Sequence, residues 1–113
     1  WKVVEALEWW MEYGSDVAFF EELRKDGTLT PLDDLPELDL MGEWFLTTFS
    51  RLSATRTTGY SANPISFVEI KQYFDLFPSP YDIEFTLNTI QRLDSIFLDF
   101  TRKRMEQQQK AKK

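Results

Sequence analysis

Hydrophobic positions recur at three- and four-residue steps along most of the chain, and no stretch sustains the alternation of two that a half-buried strand requires. The spacing predicts a first helix from about Lys2 to Tyr13, with Val3, Leu7, Trp10 and Met11 on one face and Gly14 as its stop. Ser15 or Asp16 is placed to cap a second helix. It would turn Val17, Phe20 and Leu23 inward and end at Gly27, with Arg24 and Lys25 in the last turn, where the helix dipole favours cations. Thr28 to Asp39 contains Pro31, Pro36 and four acids, and reads as a loop and the main seam of the chain. A third helix is expected from about Leu40 to Ser53, striped by Met41, Phe45, Phe49 and Leu52, with Trp44 and Leu46 off the stripe.

Thr55 to Pro64 is polar and carries Gly59 and an Asn63-Pro64 turn signal. Ser66 and Glu69 follow with the S-x-x-E spacing of a capping box, so a fourth helix should start there and run to about Leu76. Phe67, Ile70, Tyr73 or Phe74, and Phe77 are its expected buried side. Ser79, Pro80 and Asp82 repeat a start signal, with a cap, a proline at the first helical position and an acid in the first turn. Ile83, Leu87, Ile90, Leu93, Phe97 and Phe100 then define the longest helix, which should reach about Gln107. The expected fold class is all-α, a compact bundle of about five helices with a long C-terminal helix, formed as a single domain over 1–113. Residues 1–27 form an acidic, Trp-rich helical pair that could be a flanking module, and 108–113 a basic, fraying tail.

Composition changes this picture in two ways. Ten Phe, four Trp and four Tyr in 113 residues supply enough apolar area for a core without staples. The chain has no Cys and no His, which removes disulfides, thiolate and imidazole metal sites, the Ser-His-Asp triad and a cysteine nucleophile. Single glycines at 14, 27, 42 and 59 make no phosphate loop, and the acids of the 33–39 segment lack the spacing of a calcium loop. No enzymatic role, cofactor or metal is therefore expected. The net charge of -6 is unevenly spread, with 12 acids against 3 bases in residues 1–50 and 1 acid against 6 bases in 101–113. An acidic body repels phosphate, so nucleic acid is not an expected partner. No apolar run spans a bilayer and no signal-peptide pattern opens the chain, so no membrane is expected. Because the chain opens on Trp1, the natural amino terminus is expected to lie upstream.

Four aromatic doublets carry the strongest hint of a partner: Trp9-Trp10, Phe19-Phe20, Trp44-Phe45 and Tyr73-Phe74. Neighbours on a helix diverge by about 100°, so one face cannot bury both members. Core packing is the ordinary fate of any single ring, yet the set implies at least one exposed ring on a partner surface. Trp9 and Trp44, off their stripes, are the first candidates, with Phe45 beside them.

From Pro36 onward the chain resembles a family of small helical proteins encoded among the tail genes of tailed bacteriophages and prophages, the tail assembly chaperones. The residues that carry the likeness are Pro36-Glu37-Leu38, Trp44, Phe49, Leu52-Ser53-Ala54-Thr55-Arg56-Thr57-Thr58-Gly59, Pro64-Ile65-Ser66, Ile70, Tyr73, Ile90-Gln91-Arg92-Leu93-Asp94 and Leu98. They give an aromatic helix, an L-S-x-x-R-x-x-G connector, a capped I-x-x-Y helix and a final helix bearing L-D, over about 65 residues. The resemblance implies transient binding, in the cytoplasm of the bacterial host, to unassembled tail components: a tape-measure protein, which such chaperones coat, or tail-tube subunits. Residues 1–35 fall outside it.

Arg56 has two readings, a guanidinium bonding carbonyls at the end of the third helix near Gly59, or an exposed contact to the client. Asp94 shares them, since an ion pair with Arg56 would lock the two as architecture. Three functions compete, in this order: a tail assembly chaperone binding through Trp9, Trp44, Phe45 and Arg56; a structural virion subunit at the tail completion or connector position, expected to form a homo-oligomer; and an acidic phage inhibitor of a host protein. Gly59, Ser66, Glu69 and Asp94 are assigned structural roles.

Overall fold

The computed structural model describes residues 1–54 and 63–111. Within them the chain is helical with no strand: α1 (Lys2–Tyr13), α2 (Val17–Lys25), α3 (Leu40–Ala54), α4 (Phe67–Leu76) and α5 (Ile83–Ala111). A 3-10 turn over Gly14–Asp16 joins α1 directly to α2. The expected five separate helices are corrected to that extent, because the first two make one interrupted helical run. Gly14 keeps a right-handed helical backbone (φ -58°, ψ -33°) and does not stop the chain. Neither Ser15 nor Asp16 caps α2 through its side chain. Gly27 does end the run: at φ 81° it adopts the left-handed conformation that glycine tolerates. The amides of Gly27 and Thr28 then return to the carbonyls of Arg24 and Leu23, closing the helix end.

Two of the four acids of the 28–39 seam, Asp33 and Asp39, are tied into local structure. Thr30 and Asp33 form a reciprocal capping box around a second 3-10 turn, Pro31–Asp34. Asp39 Oδ1 accepts the Gly42 amide at 2.7 Å and so caps α3. A Cβ at Gly42 would lie 3.2 Å from Asp39 Oδ1 and Leu38 Cδ2, so any larger residue there presses on the capping carboxylate and on Leu38. Ser66 and Glu69 form the expected box at the start of α4. The start of α5 differs from expectation: Asp82 is the cap, accepting the Phe85 amide at 3.0 Å, while Ser79 accepts the amide of Tyr81 in the turn before it. α5 also continues to Ala111, past the expected end near Gln107.

One core joins four helices. Val3, Val4 and Leu7 of α1 meet Phe45, Phe49 and Leu52 of α3, Ile70 and Phe74 of α4, and Ile90 and Leu93 of α5. Ile65, just before α4, completes it, and its amide donates to buried Asp94 Oδ2 at 3.0 Å. Asp94 thus holds the approach to α4 against α5. The Arg56 and Gly59 assignments, and the rest of 55–62, lie outside the described residues, as do Lys112 and Lys113. α2 has no buried residue, and Val17, Phe20 and Leu23 are half-buried.

Several side chains sit on the other side of the surface from where their spacing placed them. Trp9 is 6% exposed and Trp10 43%, the reverse of the expected pair. Trp9 turns inward because its indole Nε1 donates to the Pro31 carbonyl at 2.8 Å, which ties α1 to the seam. Phe67, Phe77 and Ile83, expected in the core, are exposed. The cause is shape. The radius of gyration is 16.1 Å and the extents are 46 × 40 × 21 Å, whereas a compact chain of this length would have a radius of about 13 Å. The bundle is a slab about two helices thick, not the compact body expected, and a slab has too little interior for 18 aromatics.

Candidate functional site

Among the helices α4 leaves the most large apolar side chains exposed. Six of its ten residues, FVEIKQYFDL, are apolar or aromatic, and Phe77 follows directly. Ile70 and Phe74 face the core, three to four residues apart as one helix face requires. The other large apolar side chains do not all follow them. Phe67 is 63% exposed, Val68 63%, Leu76 76% and Phe77 54%. Glu69, Lys71, Gln72 and Asp75 give it polar positions, yet its apolar residues exceed the one face that the core buries, so this helix has apolar surface to spare.

Each flank of α4 borders a groove. On one side Trp44, Thr47 and Arg51 of α3 face Tyr73, Phe77 and Pro78 across about 400 Å³. On the other, Phe67, Phe74, Tyr81, Ile83 and Leu87 enclose about 500 Å³ between α4 and the start of α5. Pro78 borders both. The first groove has an organised floor: Trp44 stacks on Phe74 (centroids 6.1 Å apart, planes at 19°) and meets Phe45 and Tyr81 edge-on at 4.9 and 5.3 Å. Arg51 spans its rim, with Nη1 3.5 Å from the Tyr73 hydroxyl and its guanidinium 6.0 Å from the Phe77 ring centroid. The second groove carries the exposed pair Lys71–Asp75 at 3.3 Å, so its rim is locally neutral.

Of the four side chains expected to bind a partner, the structure brings one to this surface. Trp44 is half-buried and lines the first groove. Phe45 is corrected to the core: fully buried, it contacts Trp1, Trp44, Tyr81 and Phe85 and is the hub of the aromatic packing below the groove. Trp9 is corrected likewise, for the hydrogen-bonding reason given above. Arg56 lies outside the described residues. Ser66, Glu69 and Asp94 occupy structural positions at the start of α4 and beneath it. Phe67, Val68, Leu76, Phe77 and Arg51 are not among the expected surface residues; for the four apolar ones the signal is that positions 67, 68, 70, 73, 74, 76 and 77 spread beyond the one face that a helix can bury.

Charge is organised elsewhere, on α5. Asp99 bonds Arg102 at 2.6 Å and Lys103 at 3.1 Å, and these two partners hold its carboxyl below the ordinary carboxylate range. Arg102 is raised in turn, chiefly by its hydrogen bond to Asp99. All are exposed. Among the described residues no group of acids is placed to hold a metal ion, and no helix is long and apolar enough to cross a membrane.

A protein-family model described as "Phage tail assembly chaperone" matches residues 27–99. That span includes α3, α4, the two grooves and the first part of α5. Comparison with curated proteins and with solved structures returned no significant match.

Proposed function

The chain belongs to the phage tail assembly chaperone family, and from that premise we propose that it binds an unassembled tail component, a tape-measure or tail-tube protein, across the two flanks of α4. The family points to a role in tail assembly and to a non-catalytic one. The observation that carries the choice of surface is the exposure of Phe67, Val68, Leu76 and Phe77 on one short helix inside the matched residues. Large exposed apolar patches mark docking surfaces. Helical clients present such patches until they assemble, and a groove flanked by aromatic rings accepts the apolar face of a helix. Trp44, Tyr73 and Phe77 are rings of the kind that dominate interface energetics, and Arg51 adds a planar donor at the rim. The acidic body keeps such a surface soluble between binding events.

Co-expression with the tape-measure and tail-tube proteins of the same phage tests this. The intact chain is expected to co-purify with one of them. Phe67→Ser and Phe77→Ser should together reduce the captured client at least tenfold, about 1.4 kcal/mol of affinity, while leaving the circular dichroism spectrum unchanged. Undiminished capture by the folded double variant would reject α4 as the client surface.

A further inference from the structure

A third groove has no residue of α4 in its walls and differs from the others in charge. It occupies about 450 Å³ where α1, α3 and the segment before α3 converge, walled by Ala6, Trp10, Leu35, Pro36, Leu38 and Leu46, with Glu37 and Glu43 as its only charged residues. The grooves beside α4 each include a base, Arg51 or Lys71, and those along α5 include Arg102 or Arg104. Here two carboxylates and no cation border an apolar trough. Neither Glu37 nor Glu43 has an ion-pair partner among the described residues.

Trp10 stands at this groove with its ring open to solvent and its position fixed. It packs edge-on against Trp9 at 5.1 Å, and Trp9 is anchored by its bond to the Pro31 carbonyl. The Trp9-Trp10 doublet thus divides its work, one ring holding α1 to the seam and the other presented to the groove. An indole face attracts a cation through its quadrupole, and nearby carboxylates complete a site for an ammonium or guanidinium group. The apolar walls accept the side chains next to it.

We propose that this groove is a second docking site, for an amphipathic helical segment of a partner protein that sets Lys or Arg beside leucine-like side chains. It shares Glu43 with the first groove beside α4 and no other lining residue, and it does not depend on that assignment. Charge complementarity selects the occupant: an acidic segment would meet Glu37 and Glu43 directly, and a purely apolar one would leave both carboxylates desolvated without a partner.

The probe is a fluorescein-labelled, 14-residue peptide of alternating Lys and Leu faces, titrated by anisotropy against the full chain in physiological salt. A matched peptide with Glu for Lys serves as control. The Lys/Leu peptide is expected to bind, and the Glu/Leu peptide not. The double variant Glu37→Gln, Glu43→Gln should weaken binding at least tenfold and flatten its salt dependence. Trp10→Leu should weaken it at least fivefold. The remote pair Glu21→Gln, Glu22→Gln on α2, and the double Phe67→Ser, Phe77→Ser variant on α4, should leave it within twofold. All these residues are exposed, so the fold survives each change. Absence of binding, equal binding of both peptides, an unaffected Glu37/Glu43 variant, or equal weakening by the α2 pair would overturn the proposal.

Discussion

Trp9 and Trp10 show how one residue step separates architecture from surface. Their neighbours in sequence are similar, and the face that either occupies follows from a single acceptor, the Pro31 carbonyl 22 residues away. Trp9→Phe removes that donor and leaves the carbonyl unpaired, so unfolding in urea should show a loss of about 1–3 kcal/mol. Trp10→Phe keeps an aromatic ring at an exposed position and should change stability by less than about 0.5 kcal/mol. Equal losses from the two would mean that the ring positions, and with them the division between core and groove, are misassigned. Spacing pointed the other way, because it sets Trp10 on the face of Val3 and Leu7 and leaves Trp9 off it. A long-range hydrogen bond decided between them, and nothing in local periodicity encodes it. Phe45 is the opposite case. Its place on the stripe with Met41, Phe49 and Leu52 was legible, and the structure makes it the most connected ring of the core.

Elements that rest on capping chemistry were the most legible. The Ser66 and Glu69 box starts α4 where the S-x-x-E spacing puts it, and Gly27 ends α2 for the backbone reason that its position suggests. Ser66→Ala should cost about 1 kcal/mol in urea unfolding, with no change in client capture, since α4 would remain seated by Ile70 and Phe74. Start signals were misplaced where two candidates compete. Before α5, Ser79 with Pro80 resembles a cap, yet the cap is Asp82, whose carboxylate reaches the Phe85 amide. The far end of α5 outruns its apolar stripe because ion pairs replace core contacts: Asp99 with Arg102 and Lys103, and Arg102 with Glu106. Asp99 is depressed in the folded helix, so its contribution is fully present above the ordinary carboxylate range and is lost as pH falls through its lower folded value. NMR titration of the Asp99 carboxyl should give a midpoint below that of an unstructured aspartate, and Arg102→Gln with Lys103→Gln should bring it back up. A midpoint unmoved by those changes would remove the ion pairs as the cause.

At the scale of the whole molecule the governing fact is the slab. Helices two deep, 21 Å in the thin direction, bury one aromatic cluster around Phe45 and leave α4 with more apolar surface than its own fold consumes. The helical class was legible throughout, whereas the flatness was not, because periodicity reports which residues share a face and not how many layers stack on it. Exposed apolar surface was therefore anticipated in kind and displaced in place: aromatic doublets signalled excess apolar area, and that area lies around Phe67 and Phe77 with Trp44 on its edge, not at Trp9 or Phe45. The proposed binding is to unassembled components, so mass spectrometry of purified particles should detect the tail proteins and not this chain. The most direct test places a photo-crosslinking amino acid at Phe67, Leu76 or Phe77, and separately at exposed Phe19 on α2, in cells producing the tail proteins. Crosslinks from the three α4 positions to the tape-measure or tail-tube protein, with none from position 19, are the predicted result; crosslinks to those proteins from position 19 alone would contradict the account.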